Sequence, residues 1–485
     1  MKFLKNILSQ VDVLEIVGSA DISINAIHFD SRKVESNNLF VATTGTQVDG
    51  HVFIDKAIAL GATAIICENL PAQQQKEVCY IKVQNSHFVL GQVSSAWYDH
   101  PSRKLKLVGI TGTNGKTTIA SLLYQLYMDM GYFTGLLSTI ENKIGKQSIK
   151  STHTTPDALS INHLLHEMVA HKCEYCFMEV SSHALHQGRT AGLDFDGGIF
   201  TNITHDHLDY HNSFAEYIKA KKIFFDNLKK DAFALTNIDD KNGMLMLQNC
   251  SAEKQTYSLQ SLGDFKARII ENQINGLNLT INDQDVWFRL TGRFNAYNLL
   301  AVYGTAILLG QDSQEILSTL SNAQPVNGRF EAISAPNGTV AIVDYAHTPD
   351  ALLHVLKTIK DIKQAEESII TVVGAGGNRD KTKRPEMARI AADYSDRVIL
   401  TSDNPRFEKP DDIIDDMKAG LNAQQSSITL AISKRDEAIK TAYAIAKAKD
   451  FILIAGKGHE TYQDIEGVKH HFDDKEIITN LFDKN

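Results

Sequence analysis

The chain has 485 residues, 43% hydrophobic and 22% charged, an ordinary composition for a soluble globular protein and too long for one compact core. Its formal net charge of −9 leaves no basic excess to neutralise nucleic acid or an anionic membrane surface, so an anionic substrate must be met by local Arg and Lys clusters. Five sparse cysteines, no signal-peptide core between Met1 and Val17, and no apolar run near the roughly 20 residues of a membrane span point to a reducing, cytoplasmic setting.

The first hundred residues read as a small α/β unit. Ile24-Asn-Ala-Ile-His-Phe29, Leu39–Ala42 and Thr63–Cys67 have strand character, and His51–Leu60 and His87–Trp97 have helical character. The polar, Pro-containing stretch Asp99-His-Pro-Ser102 closes this unit. Next comes an apolar run, Leu105–Ile110, then Gly112-Thr-Asn-Gly-Lys-Thr-Thr118, then a helical pattern over Ile119–Met130. Strand, glycine-rich loop and helix start form a phosphate cradle: backbone N–H groups point at phosphate oxygens, Lys116 adds a point charge, and the Thr117 hydroxyl can ligate Mg²⁺. The usual P-loop spacing places a glycine five positions before Gly115, where this chain has Ile110. The loop is a P-loop with an altered front half.

Short apolar strands recur at Gly135–Leu137, Tyr175–Val180, Gly198–Thr201 and Ala232–Leu235, with helical segments between them, which predicts a mostly parallel sheet. Cys173 and Cys176 have redox or zinc spacing but no second pair, and read as two thiols beside a buried strand. Glu179-Val-Ser-Ser-His183 follows one strand and Thr204-His-Asp-His-Leu-Asp-Tyr-His211 another. One Thr hydroxyl cannot hold Mg²⁺ alone, and Glu179 is the natural second ligand, with His207 suited to a further divalent ion. A zinc site at His205, His207 and His211 is the rival, without a matching Cys or Glu spacing. On the helix predicted over Ser213–Leu228, Lys221 falls at the centre of the apolar stripe. Burial drives an amine toward its neutral form, which can take up CO₂ as a carbamate; the pattern fits a snorkelling lysine equally. Phe265–Leu290 alternates with Asn-Gly and Asn-Asp turns, predicting antiparallel hairpins. In Gly292-Arg-Phe-Asn-Ala-Tyr-Asn298, Asn295 and Asn298 start a helix near the nucleotide. Arg329 sits at a hinge within reach of the triphosphate.

The last third repeats strand-then-helix four times, with strands at Val340–Asp344, Ile369–Val373, Val398–Thr401 and Phe451–Ala455. Polar clusters stand past each carboxyl end: Asp344-Tyr-Ala-His347, Gly374-Ala-Gly-Gly-Asn-Arg379, Asp403-Asn-Pro-Arg406 and Gly456-Lys-Gly-His-Glu460. In open α/β sheets that edge binds ligands. Arg379, Lys381, Lys383, Arg384 and Arg406 are expected to face Asp403 and Glu460, a mixture of signs that fits a zwitterion with Arg as the bidentate partner of carboxylate. The lysines fit a solvated basic face as well.

Together Thr111-Gly-Thr-Asn-Gly-Lys-Thr117, Met178-Glu-Val-Ser-Ser-His183, Asp206-His-Leu-Asp-Tyr-His211, Asp344-Tyr-Ala-His-Thr-Pro349 and Gly456-Lys-Gly-His-Glu460 resemble the Mur ligases of peptidoglycan synthesis, over essentially the whole chain. Asp403-Asn-Pro-Arg406 is similar to the signature of members that use meso-2,6-diaminopimelate, whose distal carboxylate Arg406 can pair. The resemblance implies three α/β domains: 1–103 binding a UDP-sugar, a central P-loop ATPase-like 104–327, and a Rossmann-like 328–485 binding an amino acid. It implies an ATP-dependent, Mg²⁺-requiring ligase, monomeric, that joins diaminopimelate to the D-glutamyl γ-carboxylate of UDP-N-acetylmuramoyl-L-alanyl-D-glutamate through an acyl phosphate. By the same resemblance Phe29, Ser31, Thr46, Gln47 and Val48 meet the UDP-sugar, and Thr154, Thr155, Ser181, Gln187 and Arg189 the muramoyl dipeptide. Gly112, Thr113, Asn114, Gly115, Lys116, Thr117, Thr118, Asn298, Arg329, Asp344 and His347 meet ATP. Lys221 is carbamylated and joins Thr117, Glu179 and His207 as a metal ligand. Arg379, Asp403, Asn404, Pro405, Arg406, Gly456 and Glu460 bind diaminopimelate. A folylpolyglutamate synthetase-like ligase is the nearest rival, disfavoured by the separate unit before Pro101; a non-catalytic nucleotide switch is the rival from another class.

Overall fold

A computed structural model describes residues 1–45, 48–206, 210–211 and 213–483. Three α/β units follow one another, each on its own sheet. In the first, strands Ala26–His28, Asn38–Val41, Ala62–Cys67 and Cys79–Lys82 run parallel, and Glu15–Val17 closes the far edge antiparallel. The strand expected over Ile24–Phe29 is interrupted at Asn25: Ser23–Ile24 pairs instead with Lys2–Phe3. The helix expected from His51 begins as a tight turn, Gly50–Phe53, and becomes α-helical only over Ile54–Ala59.

The central sheet contains 11 strands among the described residues. Its parallel core runs in the order Thr134–Leu137, Tyr175–Glu179, Lys106–Thr111, Gly197–Phe200, Phe233–Asn237, Glu253–Ser258 and Phe265–Gln273. Lys106–Thr111 sits inside this core and is apolar on both faces. Val108 and Ile110 pack into one hydrophobic cluster with helices Lys116–Asp129 and Arg293–Leu308, while Leu107 packs into the other. A near-continuous apolar run is what burial of both faces demands. The expected hairpins are present: Gly276–Ile281 and Gln284–Phe288 extend the sheet antiparallel at one edge. A second hairpin, Glu141–Ile144 with Gln147–Lys150, was not anticipated and extends the other edge.

In the third unit the strand order is Glu331–Ser334, Val340–Asp344, Phe451–Ala455, Ile369–Ala375, Arg397–Ser402, Thr429–Ala431. All but the first run parallel. The last strand to form in chain order inserts between the second and third. The four polar clusters therefore leave the same edge of one sheet, on strands that are neighbours.

The first unit docks on the second by close backbone approach. A Cβ on Gly91 would stand 2.4 Å from the Ala191 carbonyl oxygen, and Tyr98 lies against His163 and His166, with ring centroids 5.6 and 5.5 Å away. Arg103 in the connecting segment pairs with Asp194. Gly91→Val should therefore cost roughly 1–3 kcal/mol of docking through overpacking. Limited trypsinolysis at Arg103 and Lys104 should rise severalfold while far-UV circular dichroism stays unchanged; unchanged cleavage would mean that the contact contributes nothing.

Candidate functional site

The site begins at the carboxyl end of the interior strand Lys106–Thr111 of the central sheet. Gly112 has φ +152° and a Cβ there would overlap the Thr201 hydroxyl at 1.9 Å; Gly115 has φ +90° and would press on Asn298 Oδ1 at 2.7 Å. Both positions need glycine, for space as well as for conformation. Asn298 lies on the helix Arg293–Leu308, beside the loop. Within the loop, Lys116 Nζ donates to the carbonyls of Gly112 and Thr113 at 2.9 and 2.7 Å. Burial lowers its pKa, with Glu179 and Asp206 acting in opposition.

Glu179, at the end of the neighbouring strand, is wholly buried. It accepts hydrogen bonds from the Thr117 hydroxyl at 3.0 Å, the Thr139 backbone N–H at 2.7 Å and the Thr139 hydroxyl at 3.2 Å. The expected peptide-binding residues form one network around it. Thr155 Oγ1 donates to the Glu179 carbonyl at 2.8 Å and accepts from the Ser181 N–H at 3.0 Å; Arg189 donates to the Thr155 carbonyl at 2.8 Å and to Gln187 Oε1; Thr154 lies 3.0 Å from Thr139 Oγ1. Thr139 was missed by the sequence reading, although it too follows a strand of this sheet. Tyr210, which accepts from Gln187 Nε2 at 3.0 Å, was missed as well.

Lys221 is 1% exposed. Its amine donates to the Gly112 carbonyl at 2.7 Å and stands 4.7 Å from the centre of the Tyr217 ring. Burial, then the neighbouring Lys116 charge, hold its pKa well below the ordinary lysine value. This geometry excludes a snorkelling side chain. Lys219 is exposed and Lys222 pairs with Asp226. No cluster of three His, Cys, Asp or Glu that could hold a metal occurs among the described residues. The Thr117 hydroxyl and Glu179 carboxylate, side by side at the cradle, are hard oxygen donors of the kind Mg²⁺ takes, so this pair fits the ion. His207, Thr46 and Gln47 lie outside the described residues; in the first unit Phe29 and Val48 are exposed and Ser31 is buried.

The third unit reaches the cradle. Arg329 donates to Thr117 Oγ1 at 3.0 Å, and Asp350 accepts from Asn114 Nδ2 at 2.9 Å and Thr204 Oγ1 at 3.2 Å. Asp350 was also missed by the sequence reading. Asp344, whose pKa burial raises, accepts from the Phe330 N–H at 2.6 Å and so ties the hinge to its strand. Beside it, burial lowers the His347 pKa, with Lys383 adding to the effect. The charge of Asp206, in the central unit, acts on His347, and His347 in turn acts on Asp403, in the third. The two strand edges therefore face one another.

At the third edge, Asn404 Nδ2 donates to Glu460 Oε2 at 2.8 Å, and Arg406, in the left-handed region at φ +52°, donates to the Gly377 carbonyl at 2.7 Å. Gly456 abuts Asp403: a Cβ would lie 2.5 Å from its Oδ2. Arg379 is exposed. Two expectations change here. Arg384 does not face Asp403 and Glu460; it is fully buried and paired with Glu408 and Asp416, with a further bond to the Gly376 carbonyl. Lys381 also pairs with Glu408. Both serve the loop rather than a ligand, because Glu408 offers them a carboxylate three positions after Pro405.

Models of the Mur ligase family catalytic domain, the Mur ligase middle domain and the Mur ligase glutamate ligase domain match residues 23–103, 110–306 and 328–458. A protein of Bacteroides fragilis named UDP-N-acetylmuramoyl-L-alanyl-D-glutamate–2,6-diaminopimelate ligase is 54% identical over 479 residues, 99% of each chain. The chain belongs to the Mur ligase family. A Cytophaga hutchinsonii protein of the same name is 55% identical to this Mur ligase over 482 residues, again 99% of each. A solved structure of a ligase so named superposes with a TM-score of 0.70 at 32% identity, covering 100% of this chain and 99% of the other.

His459, against Tyr345, has its pKa brought down to about 3 by burial and by the Arg329 and Lys457 charges. The unfolded chain takes up this proton below about pH 6.5 while the folded one refuses it, so stability falls as pH drops from about 6.5 toward 3, by up to about 1.4 kcal/mol per unit. His459→Gln should flatten that part of the curve in denaturant titrations between pH 6 and 4. A variant curve parallel to the parent's would refute the assignment.

Proposed function

We propose that this Mur ligase joins meso-2,6-diaminopimelate to the D-glutamyl γ-carboxylate of UDP-N-acetylmuramoyl-L-alanyl-D-glutamate, with cleavage of ATP to ADP and phosphate, as a cytoplasmic monomer in cell-wall synthesis. The observation that carries the reading is the pairing of a P-loop with a second strand edge bearing Asp403-Asn404-Pro405-Arg406, joined through the Arg329–Thr117 contact. The full-length relatives named for this reaction support the choice of substrates.

ATP lies in the cradle of Gly112 to Thr118, with Lys116 neutralising phosphate charge and Arg329 entering from the third unit. Asn298, Asp344 and His347 line the nucleotide's approach. The UDP-sugar lies on the first unit at Phe29, Ser31 and the 46–48 loop. Thr154, Thr155, Ser181, Gln187 and Arg189 present the dipeptide so that its γ-carboxylate meets the γ-phosphorus. That carboxylate displaces ADP to give an acyl phosphate. The diaminopimelate amine then attacks the acyl carbon, and phosphate leaves through a tetrahedral intermediate. Asp403 and Glu460 hold ammonium, with Asn404 and Gly456 shaping the pocket, while Arg379 and Arg406 hold carboxylate. Thr117, Glu179, His207 and Lys221 would hold Mg²⁺. When bound, the ion supplies charge neutralisation at the phosphates.

Lys221 reacts with CO₂: its neutral nitrogen forms the N–C bond and a proton is released, leaving a carbamate. The neutral amine required is what burial and the Lys116 charge produce. Lys221→Ala should lose nearly all ligase activity and recover part of it with added short carboxylic acids. Absence of recovery at every concentration would contradict the carbamate.

Arg406→Lys should raise the KM for diaminopimelate by about tenfold or more, through loss of bidentate pairing, and leave the KM for ATP within about twofold. Steady-state assays with each substrate varied in turn decide this. Equal losses for both substrates would remove Arg406 from the amino-acid pocket.

A further inference from the structure

Lys457 lies between two residues of the amino-acid edge and has no solvent exposure in its side chain. Its ammonium donates to Asn404 Oδ1 at 3.1 Å and to Glu460 Oε2 at 3.2 Å, and stands 5.6 Å from the Tyr462 ring centre. Asn404 Nδ2 donates to the same Glu460 oxygen at 2.8 Å. Lysine, asparagine and glutamate thus close a triangle across two loops that leave different, non-adjacent strands of the sheet.

A buried lysine is expensive in this place, and a well-packed apolar side chain would stabilise the fold at least as well. The cation does what an apolar side chain cannot. Alongside the Asp464 backbone N–H, which donates to the same Asn404 Oδ1 at 2.9 Å, it sets which amide atom of Asn404 faces Glu460, since an ammonium accepts no hydrogen bond and must be met by the amide oxygen. The amide nitrogen is thereby turned to Glu460 Oε2, so two donors occupy one carboxylate oxygen. Among the described residues the other, Oε1, carries a single 3.4 Å bond, from Tyr345 Oη. Lys457 also bears on Asp403: burial raises the pKa of that carboxyl, and the Lys457 and Arg435 charges, with the Asn404 N–H bond and His347, together bring it below the ordinary value. Arg435 supports the same arrangement from below. It is buried, pairs through two nitrogens with Asp474 at 2.8 and 2.7 Å, and donates to the carbonyls of Ala455 at 3.0 Å and Ser402 at 3.4 Å, the last residues of the two strands.

We propose that Lys457 is a positioning residue for amino-acid recognition: it locks Asn404 and Glu460 in one orientation, leaving Glu460 Oε1 as the acceptor for the substrate's ammonium. The inference rests on the reading of this edge as the diaminopimelate pocket.

The test is a double-mutant cycle of Lys457→Met, Glu460→Gln and the pair, with KM for diaminopimelate, ATP and the muramoyl dipeptide measured on the full-length enzyme. Lys457→Met is expected to raise the diaminopimelate KM about tenfold or more. It should leave the other two KM values within about twofold, and its effect should shrink to near nothing in the Glu460→Gln background. Additive effects, or equal changes for all three substrates, would overturn the positioning role. Lys457→Gln, which keeps a donor without the charge, is measured in the same way. If Lys457→Met does not fold, an unchanged diaminopimelate KM in Lys457→Gln overturns the proposal and a selective rise supports it. Should Glu460→Gln and Arg406→Lys both leave the diaminopimelate KM unchanged, the pocket reading itself fails. If they raise it while both Lys457 variants do not, only the role of Lys457 fails.

Discussion

One hydroxyl joins the two chemical halves of this protein. Thr117 donates its proton to Glu179 and accepts a hydrogen bond from Arg329. The donor–acceptor arithmetic of a hydroxyl allows both bonds at once. The first bond belongs to the central sheet and fixes a strand-end carboxylate against the phosphate cradle. The second crosses from the third unit. Any movement that separates the units breaks the Arg329 bond, and with it the Asp350 bonds to Asn114 and Thr204. The cradle is therefore coupled to interdomain geometry through polar contacts that are individually worth little but break together.

That coupling explains the use of three units rather than one. An acyl phosphate is lost to water unless the site excludes it. Two strand edges joined by these contacts, each bearing its own loops, can bound a cleft in a way that one sheet edge cannot. His347, which feels the Asp206 charge and itself bears on Asp403, links the two edges electrostatically. Parallel sheets deliver their loops to one edge by construction, so the same architecture, used twice, supplies both faces of the cleft.

Much of this was legible in the sequence because the inner strands that carry the site loops are short apolar runs followed at once by polar residues. Val340–Asp344 and Phe451–Ala455 have the expected limits, since buried parallel strands are read from continuous hydrophobicity. The hairpins Glu141–Lys150 and Tyr462–His471 escaped because their strands are half-exposed and polar. Their turns are Gly145-Lys146 and Glu466-Gly467, not Asn-Gly. In the site, Lys221 could be placed on an apolar stripe, but only the fold shows that no route to solvent remains for its amine. Arg384 could not be separated from Arg406 by spacing alone; the carboxylates that claim it, Glu408 and Asp416, lie 24 and 32 positions away. Thr139 and Asp350 carry no motif and acquire meaning only from what the fold brings to them.

The buried cations divide into two groups by how they are compensated. Arg384, Arg435 and Lys457 each contact at least one carboxylate, and each ties together loops or strand ends of the third unit. The charges of the two arginines are structural, and all three cations are compensated in place and costly to strip of partners. Lys116 and Lys221 differ. Both donate to the Gly112 carbonyl, both have their pKa lowered by burial, and the Lys116 charge bears on Lys221 as repulsion. Two like charges meeting at one carbonyl oxygen are a poor way to stabilise a fold and a good way to keep one amine neutral. Converting Lys221 to a carbamate would replace that repulsion with an attraction, adding a negative oxygen donor next to the Lys116 cation and close to where phosphate charge must be met.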